Sequence, residues 1–103
     1  LHVTAMGSDA ETKNEIVAEA FSKFDRIICD RKTQALRLGE LHHAPSFIEH
    51  AVELGQVIAE GKVLREKTSE LTLCDLTGTG AQDTAIASLA FEVAEKKGLG
   101  LSL

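Results

Sequence analysis

Leu71-Thr72-Leu73-Cys74-Asp75-Leu76-Thr77-Gly78-Thr79-Gly80-Ala81-Gln82-Asp83 passes without a break from an apolar run through a glycine-rich turn into a helix start. The run at 71–74 is too short for a helix and stops at an aspartate, which suits a buried parallel strand. Thr79 with Gln82 three positions on forms a capping-box pattern, in which two side chains satisfy backbone N–H groups left unpaired by the first helical turn. A helix is therefore expected over 81–97, with Ile86, Leu89, Ala90 and Val93 facing inward. Lys96, Lys97 and Gly98 would close it, the cations at the negative end of the dipole and the glycine free to turn left-handed.

Two more short apolar runs, at 2–6 and 26–29, share this character and also lead into aspartates. Between them an amphipathic helix is expected, with Ile16, Val17, Ala20, Phe21 and Phe24 on one stripe and a capping box of Thr12 and Glu15 at its start. Between the second and third runs the pattern predicts helices over 32–38 and 45–60, then a polar surface loop at 62–70. The order is β-α-β-α-α-β-α, an α/β arrangement around a parallel sheet. Three strands are few for a free-standing α/β domain, so half of a doubly wound sheet is the better description. The chain opens on a strand and closes on Leu99-Gly100-Leu101-Ser102-Leu103, which reads as a piece of something longer.

With 103 residues the chain has room for one small domain, and its 44% apolar and 26% charged residues are ordinary for a globular protein. A net charge of −5 argues against nucleic acid as a partner, because phosphate binding needs a basic surface. No apolar run reaches the roughly 18 residues of a membrane span, and the first residues have no signal-peptide character. Cys29 and Cys74 fit no zinc spacing and are expected to be buried free thiols in a reducing, cytoplasmic setting.

In open parallel sheets, ligands bind beyond the carboxyl ends of the strands. All three runs deliver an aspartate there: Asp9, Asp30 and Asp75. Aspartate is common in such turns for purely conformational reasons. Asp9 has the strongest local case, because Gly7 would let backbone approach a ligand and a helix start near Thr12, with Lys13, would favour its ionised form. An ionised carboxylate at that edge can accept a proton and return it. The Gly78-x-Gly80 turn lacks the third glycine of a dinucleotide fingerprint, since Asp83 holds its place, and no suitable acid follows it. His42, His43 and His50 have no metal-ligand spacing; they are expected at a surface or interface, and no metal site is expected.

Several elements in order resemble the ornithine cyclodeaminase/μ-crystallin family. Val3-Thr4-Ala5-Met6-Gly7-Ser8-Asp9 followed by Lys13-Asn14-Glu15 resembles its A-x-G-x-D…K-x-E element. Gly39-Glu40-Leu41 resembles its G-E turn, Glu53-Leu54-Gly55-Gln56-Val57 its E-L-G-E-V helix, Asp75-Leu76-Thr77-Gly78 with Gln82-Asp83 its D-S-T-G…Q-D, and Lys97-Gly98-Leu99-Gly100 its K-G-x-G. The combination looks most similar to the branch of ectoine-utilisation cyclodeaminase-like proteins and iminosuccinate reductases.

The resemblance implies that residues 1–103 are the C-terminal half of a Rossmann domain binding NAD or NADP, in a homodimeric enzyme acting on an amino or imino acid. It implies that Asp9 is the catalytic acid/base at the substrate. It places Ala5, Met6, Gly7 and Ser8 along the cofactor, Lys13 in contact with it, Leu76 against the nicotinamide, and Thr77 near the substrate. Leu76 departs from the serine of many members, which leaves packing or backbone contact there. The family's glycine-rich phosphate loop, and the lysine and arginine that hold the substrate carboxylate, would precede Leu1. The chain by itself is therefore expected to be inactive and to bind dinucleotide negligibly.

Three functions compete. An NAD(P)-dependent oxidoreductase would interconvert an imino acid and an amino acid by hydride transfer and consume NADH. A cyclodeaminase would release ammonia from a diamino acid such as ornithine without net cofactor turnover. A non-enzymatic, crystallin-like binding protein would not need the proton relay that Asp9 offers.

Overall fold

Four short strands pair in parallel: β1 (His2–Ala5), β2 (Arg26–Cys29), β3 (Ala51–Glu53) and β4 (Thr72–Asp75), in the spatial order β1-β4-β2-β3. They belong to a computed structural model that describes residues 1–101; Ser102 and Leu103, the end of the closing leucine-rich stretch, lie outside the described residues. The α/β, Rossmann-type parallel sheet read from the sequence is present. β4 is buried at all four positions, as a central strand should be. Ala5 and Cys29 both stand level with Asp75, and Glu53 stands level with Cys29, so the carboxyl ends form one rim.

The core between sheet and connections gathers Ala5, Phe21, Ile27, Cys29, Ala35, Leu41, Ala44, Ala51 and Leu73. The apolar stripe between β1 and β2 points inward as expected, but the α-helix is not there. Residues Ala18–Lys23 form a 3-10 helix instead, and Val17 begins it without a side-chain cap. Thr12 and Glu15 make no capping box. The carboxylate of Glu15 accepts from the Gly7 N–H, while the Glu15 and Ile16 N–H groups donate to Glu40. These tertiary bonds hold the segment in an open loop. Phe21 and Phe24, three apart, meet edge to face at 6.2 Å, as the tighter 3-10 pitch allows.

The expected helix over 45–60 is interrupted. Its first part is a 3-10 helix, Pro45–His50; its last is α2 (Leu54–Glu60); between them lies β3. The open edge of β2 carries unpaired backbone groups, and Ala51–Glu53 satisfies them by pairing with Ile27, Ile28 and Cys29. A three-residue strand inside a run with helical spacing leaves no periodic signature of its own. After β2, α1 (Lys32–Ala35) is a single turn and a 3-10 helix covers Leu41–His43. Residues 62–70 form the expected loop.

The last helix, α3 (Gly80–Lys97), has the expected capping box of Thr79 and Gln82 and closes at Gly98 with φ 63°. Its side chains do not face inward. Ile86, Leu89 and Val93 are 64%, 55% and 40% exposed, and no element of the described residues packs closely on the helix. Eighteen residues extend about 27 Å, which explains a radius of gyration of 16.7 Å against about 13 Å for a compact chain of this length. Helical periodicity reports which side chains share a face, not whether anything lies opposite.

Candidate functional site

The rim at the carboxyl ends of β1 and β4 brings two sequence elements together. Leu76 N–H donates to the Ala5 carbonyl at 2.8 Å, so the turn carrying Met6, Gly7 and Ser8 runs beside Leu76 and Thr77. Met6 is 73% exposed and Leu76 half-buried. Ser8 is buried; its hydroxyl donates to the Lys13 carbonyl at 2.6 Å, and its own carbonyl accepts from Gly39 N–H at 2.7 Å. His43 donates from Nε2 to the same Lys13 carbonyl, and His42 donates from Nδ1 to the Leu36 carbonyl.

Asp9 lies in the loop that follows, on the same side of the sheet, with its side chain exposed. Its carboxylate is paired with the Lys13 ammonium four residues on. The Lys13 hydrogen bond, and then its charge, hold the Asp9 carboxyl below its ordinary range, so it is ionised at neutral pH. No helix start stands behind it: the segment is a turn and loop, and Lys13 supplies the effect the sequence reading divided between a dipole and a cation.

The other two aspartates are structural. Asp30 is buried and accepts from Thr77 N–H and Gly78 N–H at 2.8 Å each, from the Thr77 hydroxyl, and from Arg31 N–H. Gln34 donates to the Thr77 hydroxyl at 2.8 Å and to the Gly78 carbonyl at 2.6 Å. The Thr77 hydroxyl is thereby committed on both sides, and what Thr77 presents to the rim is its position rather than a free polar group. Asp75 is fully buried and accepts from Glu40 N–H at 3.0 Å and Leu41 N–H at 2.9 Å. Burial pushes its carboxyl up, the two backbone donors pull it back, and the Glu40 and Asp30 carboxylates add to the rise.

Glu40, fully buried, and Gln34 have no role legible from residue pattern alone, and Glu15 is legible only as half of a capping box that it does not form. The Gly39-Glu40 pair was the available signal, because Gly39 has φ +80° and a Cβ there would stand 2.7 Å from Thr77 Cγ2 and 2.9 Å from Asp75 Oδ2. Cys29 and Cys74 are buried free thiols; burial, with the nearby carboxylates, pushes Cys29 up to about 12. That removes it as a nucleophile.

Between Arg31 and Gln34, Leu54 and Ile58 of α2, and the turn at 78–82 lies an open cleft of about 500 Å³. Met6 leaves β1 exposed and Leu76 leaves β4 half-buried, apolar side chains at neighbouring strand ends that suit one face of a flat ring. A pyrophosphate finds no glycine-rich loop among the described residues, and Thr79 and Gln82 already cap the start of α3. The residues present therefore fit the nicotinamide end of a dinucleotide and not its phosphates.

Comparison with known proteins identifies the family. An uncharacterised cyclodeaminase of Sinorhizobium fredii is 52% identical over 107 residues, covering 96% of this chain and 31% of the relative. The structure of Paracoccus denitrificans iminosuccinate reductase in complex with NAD+ superposes with a TM-score of 0.81 at 34% identity, over 95% of this chain and 31% of that one. An archaeal alanine dehydrogenase dimer with bound NAD gives 0.82 at 36% identity, over 99% and 33%. The chain thus spans about a third of the length of these relatives. The family profile described as ornithine cyclodeaminase/mu-crystallin matches residues 1–98, and the chain belongs to that family.

Proposed function

We propose that residues 1–103 are the C-terminal half of the dinucleotide-binding domain of a longer NAD(P)-dependent oxidoreductase, which interconverts an imino acid and an amino acid, with Asp9 as the proton carrier. The observation that carries this reading is the exposed, ionised Asp9–Lys13 pair, set in the loop that leaves β1 next to Leu76 on the ligand-binding rim. A solvent-facing carboxylate on a tethered loop suits proton exchange; Asp30 and Asp75, committed to backbone donors, do not.

A bound nicotinamide supplies or accepts the hydride. Met6 and Leu76 would lie along its ring, with Ala5, Gly7 and Ser8 shaping the turn beside it and Lys13 within the same loop to contact the cofactor. Asp9, in its ionised form, takes a proton from the nitrogen of an amino acid as it is oxidised and returns it to the nitrogen of the imine in the reverse direction. Thr77 fixes the floor near the substrate. The homodimer expected for the full-length enzyme is supported by the dimeric alanine dehydrogenase relative. Buried free thiols support a cytoplasmic setting, and no helix among the described residues is long and apolar enough to cross a membrane.

The test is Asp9→Asn in the full-length enzyme. Turnover should fall at least 10²-fold with NADH affinity unchanged, since an amide cannot carry the proton; equal losses in both would assign Asp9 a structural role. The cyclodeaminase reading is favoured by the name of the Sinorhizobium fredii relative. Ammonia release without net NADH consumption would establish it in place of the reductase, with Asp9 in the same role.

A further inference from the structure

We infer that Asp75, Glu40 and Glu15 form a relay of carboxylates that positions the Asp9 loop, with Glu40 as its central positioning residue. The inference rests on the reading of Asp9 as proton carrier and adds how that carboxylate is held.

The segment from Met6 to Val17 contains neither helix nor strand, so its backbone polar groups need partners from elsewhere. The relay supplies them stepwise. Asp75, at the end of β4, accepts from the N–H groups of Glu40 and Leu41 and fixes the Gly39-Glu40 turn. The Glu40 carboxylate accepts from Glu15 N–H at 3.0 and 3.1 Å and from Ile16 N–H at 2.7 Å. The Glu15 carboxylate accepts from Gly7 N–H at 3.1 Å. Asp9 N–H closes the turn on the Gly7 carbonyl at 3.1 Å.

Two features set this apart from ordinary loop packing. Glu40 is fully buried with no cation in contact, among the described residues, to offset its charge. Burying a carboxylate in this way is costly, and the donors it gathers all belong to the Asp9 loop. Gly7 is also shaped to the relay: a Cβ there would stand 2.3 Å from Glu15 Oε1. The middle of the loop is tied by Gly39 to Ser8, and by Ser8 and His43 to the Lys13 carbonyl. Held along its length, the loop presents the Asp9 and Lys13 side chains to each other and to solvent.

The carboxyl titration of Asp9, followed by NMR in the 103-residue chain, reads this directly. The charged or titratable groups on and against the loop are Glu11, Lys13 and Glu15 of the loop itself, with Glu40, His43 and Asp75 from the elements behind it. Glu40→Gln deletes a negative charge, which by Coulomb's law alone lowers the Asp9 midpoint. Loosening the loop frees Asp9 from Lys13 and raises the midpoint toward the ordinary value of about 3.9. A rise is expected; no change or a fall would overturn the relay.

Should Glu40→Gln fail to fold, Gly7→Ala decides. It alters no charge, acts at the exposed end of the relay and displaces the Glu15 carboxylate. The Asp9 midpoint should again rise and the residue-7 amide should exchange faster. A midpoint and an exchange rate like the parent's would sink the relay. In the full-length enzyme, Glu40→Gln should lower kcat while leaving KM for NADH alone, and should move the acidic limb of the pH profile upward with Asp9. Retained turnover in Asp9→Asn would instead refute the proton-carrier reading while the titration still judged the relay.

Discussion

Asp30 and Thr77, 47 positions apart, are joined through both the backbone N–H and the hydroxyl of the threonine, at 2.8 and 2.9 Å to the same carboxylate oxygen. Asp30 follows β2 and Thr77 follows β4, so the pair locks two neighbouring strand exits to each other. In Asp30→Asn the amide oxygen can take the place of Oδ2 and keep the Thr77 and Gly78 donors, but its N–H₂ then stands where Oδ1 accepts from Arg31 N–H and the Thr77 hydroxyl. A loss of about 1–3 kcal/mol is expected from the charge-assisted bonds weakened and the donor left unpaired. Urea unfolding measures it; a loss below about 0.5 kcal/mol would mean that the turn finds other partners.

Gly39 packs against both Asp75 and Thr77. Its φ of +80° is available to glycine at little cost, and a Cβ would strike Asp75 and the Thr77 methyl. Gly39→Ala should cost about 1–3 kcal/mol from backbone conformation, with a further loss from the contact. Gly55→Ala provides the control, because its Cβ would meet nothing within 4 Å and it lies inside α2, where alanine is the better helix former. The two substitutions should move the thermal midpoint in opposite directions.

Asp75 carries a pH dependence whose sign follows from its burial. Its folded-state carboxyl lies above the ordinary 3.8, so between that value and the raised one the folded chain holds more protons than the unfolded chain. Stability contributed by Asp75 therefore falls as pH rises through this window. Asp9 runs the other way: Lys13 lowers its carboxyl, and the small contribution it makes is lost only as pH falls below the ordinary value. Asp75→Asn removes the buried charge along with one good acceptor. Its unfolding free energy, less that of the parent, should rise steadily with pH from about pH 4 upward. A pH-independent difference would show that folding leaves the Asp75 carboxyl at its ordinary value.

What the sequence disclosed, and what it withheld, divides along physical lines. β4, its glycine turn and the capped start of α3 were legible because each rests on local chemistry within a dozen residues. β3 was hidden because three residues carry no period, and only the open edge of β2 makes them a strand. The loop from Met6 to Val17 was misread for a related reason. Thr12 and Glu15 have capping-box spacing, but Glu15 finds Gly7 and Glu40 instead, partners that exist only after the sheet forms. At the site, Asp9 was legible as a carboxylate leaving a strand. The burial of Asp30 and Asp75 was not, since the same sequence pattern serves exposed and enclosed turns alike.

The chain alone should bind NADH negligibly, and the structure gives the reason in terms of charge. A dinucleotide brings two pyrophosphate charges to a rim that holds Asp9, Asp30, Glu40 and Asp75. The one ammonium in the Asp9 loop is already paired. The N–H groups at the start of α3 are partly taken by Thr79 and Gln82, and the net charge of −5 opposes an anion at long range. Met6 and Leu76 offer a ring only apolar contact. Fluorescence titration should therefore show no saturation in the micromolar range. Saturable micromolar binding would mean that this rim builds a phosphate site unaided, with Arg31 at the mouth of the open cleft as the cation to test. Loss of that binding in Arg31→Ala would place the phosphates there and move the dinucleotide away from Asp9, against the reading that Asp9 serves the nicotinamide.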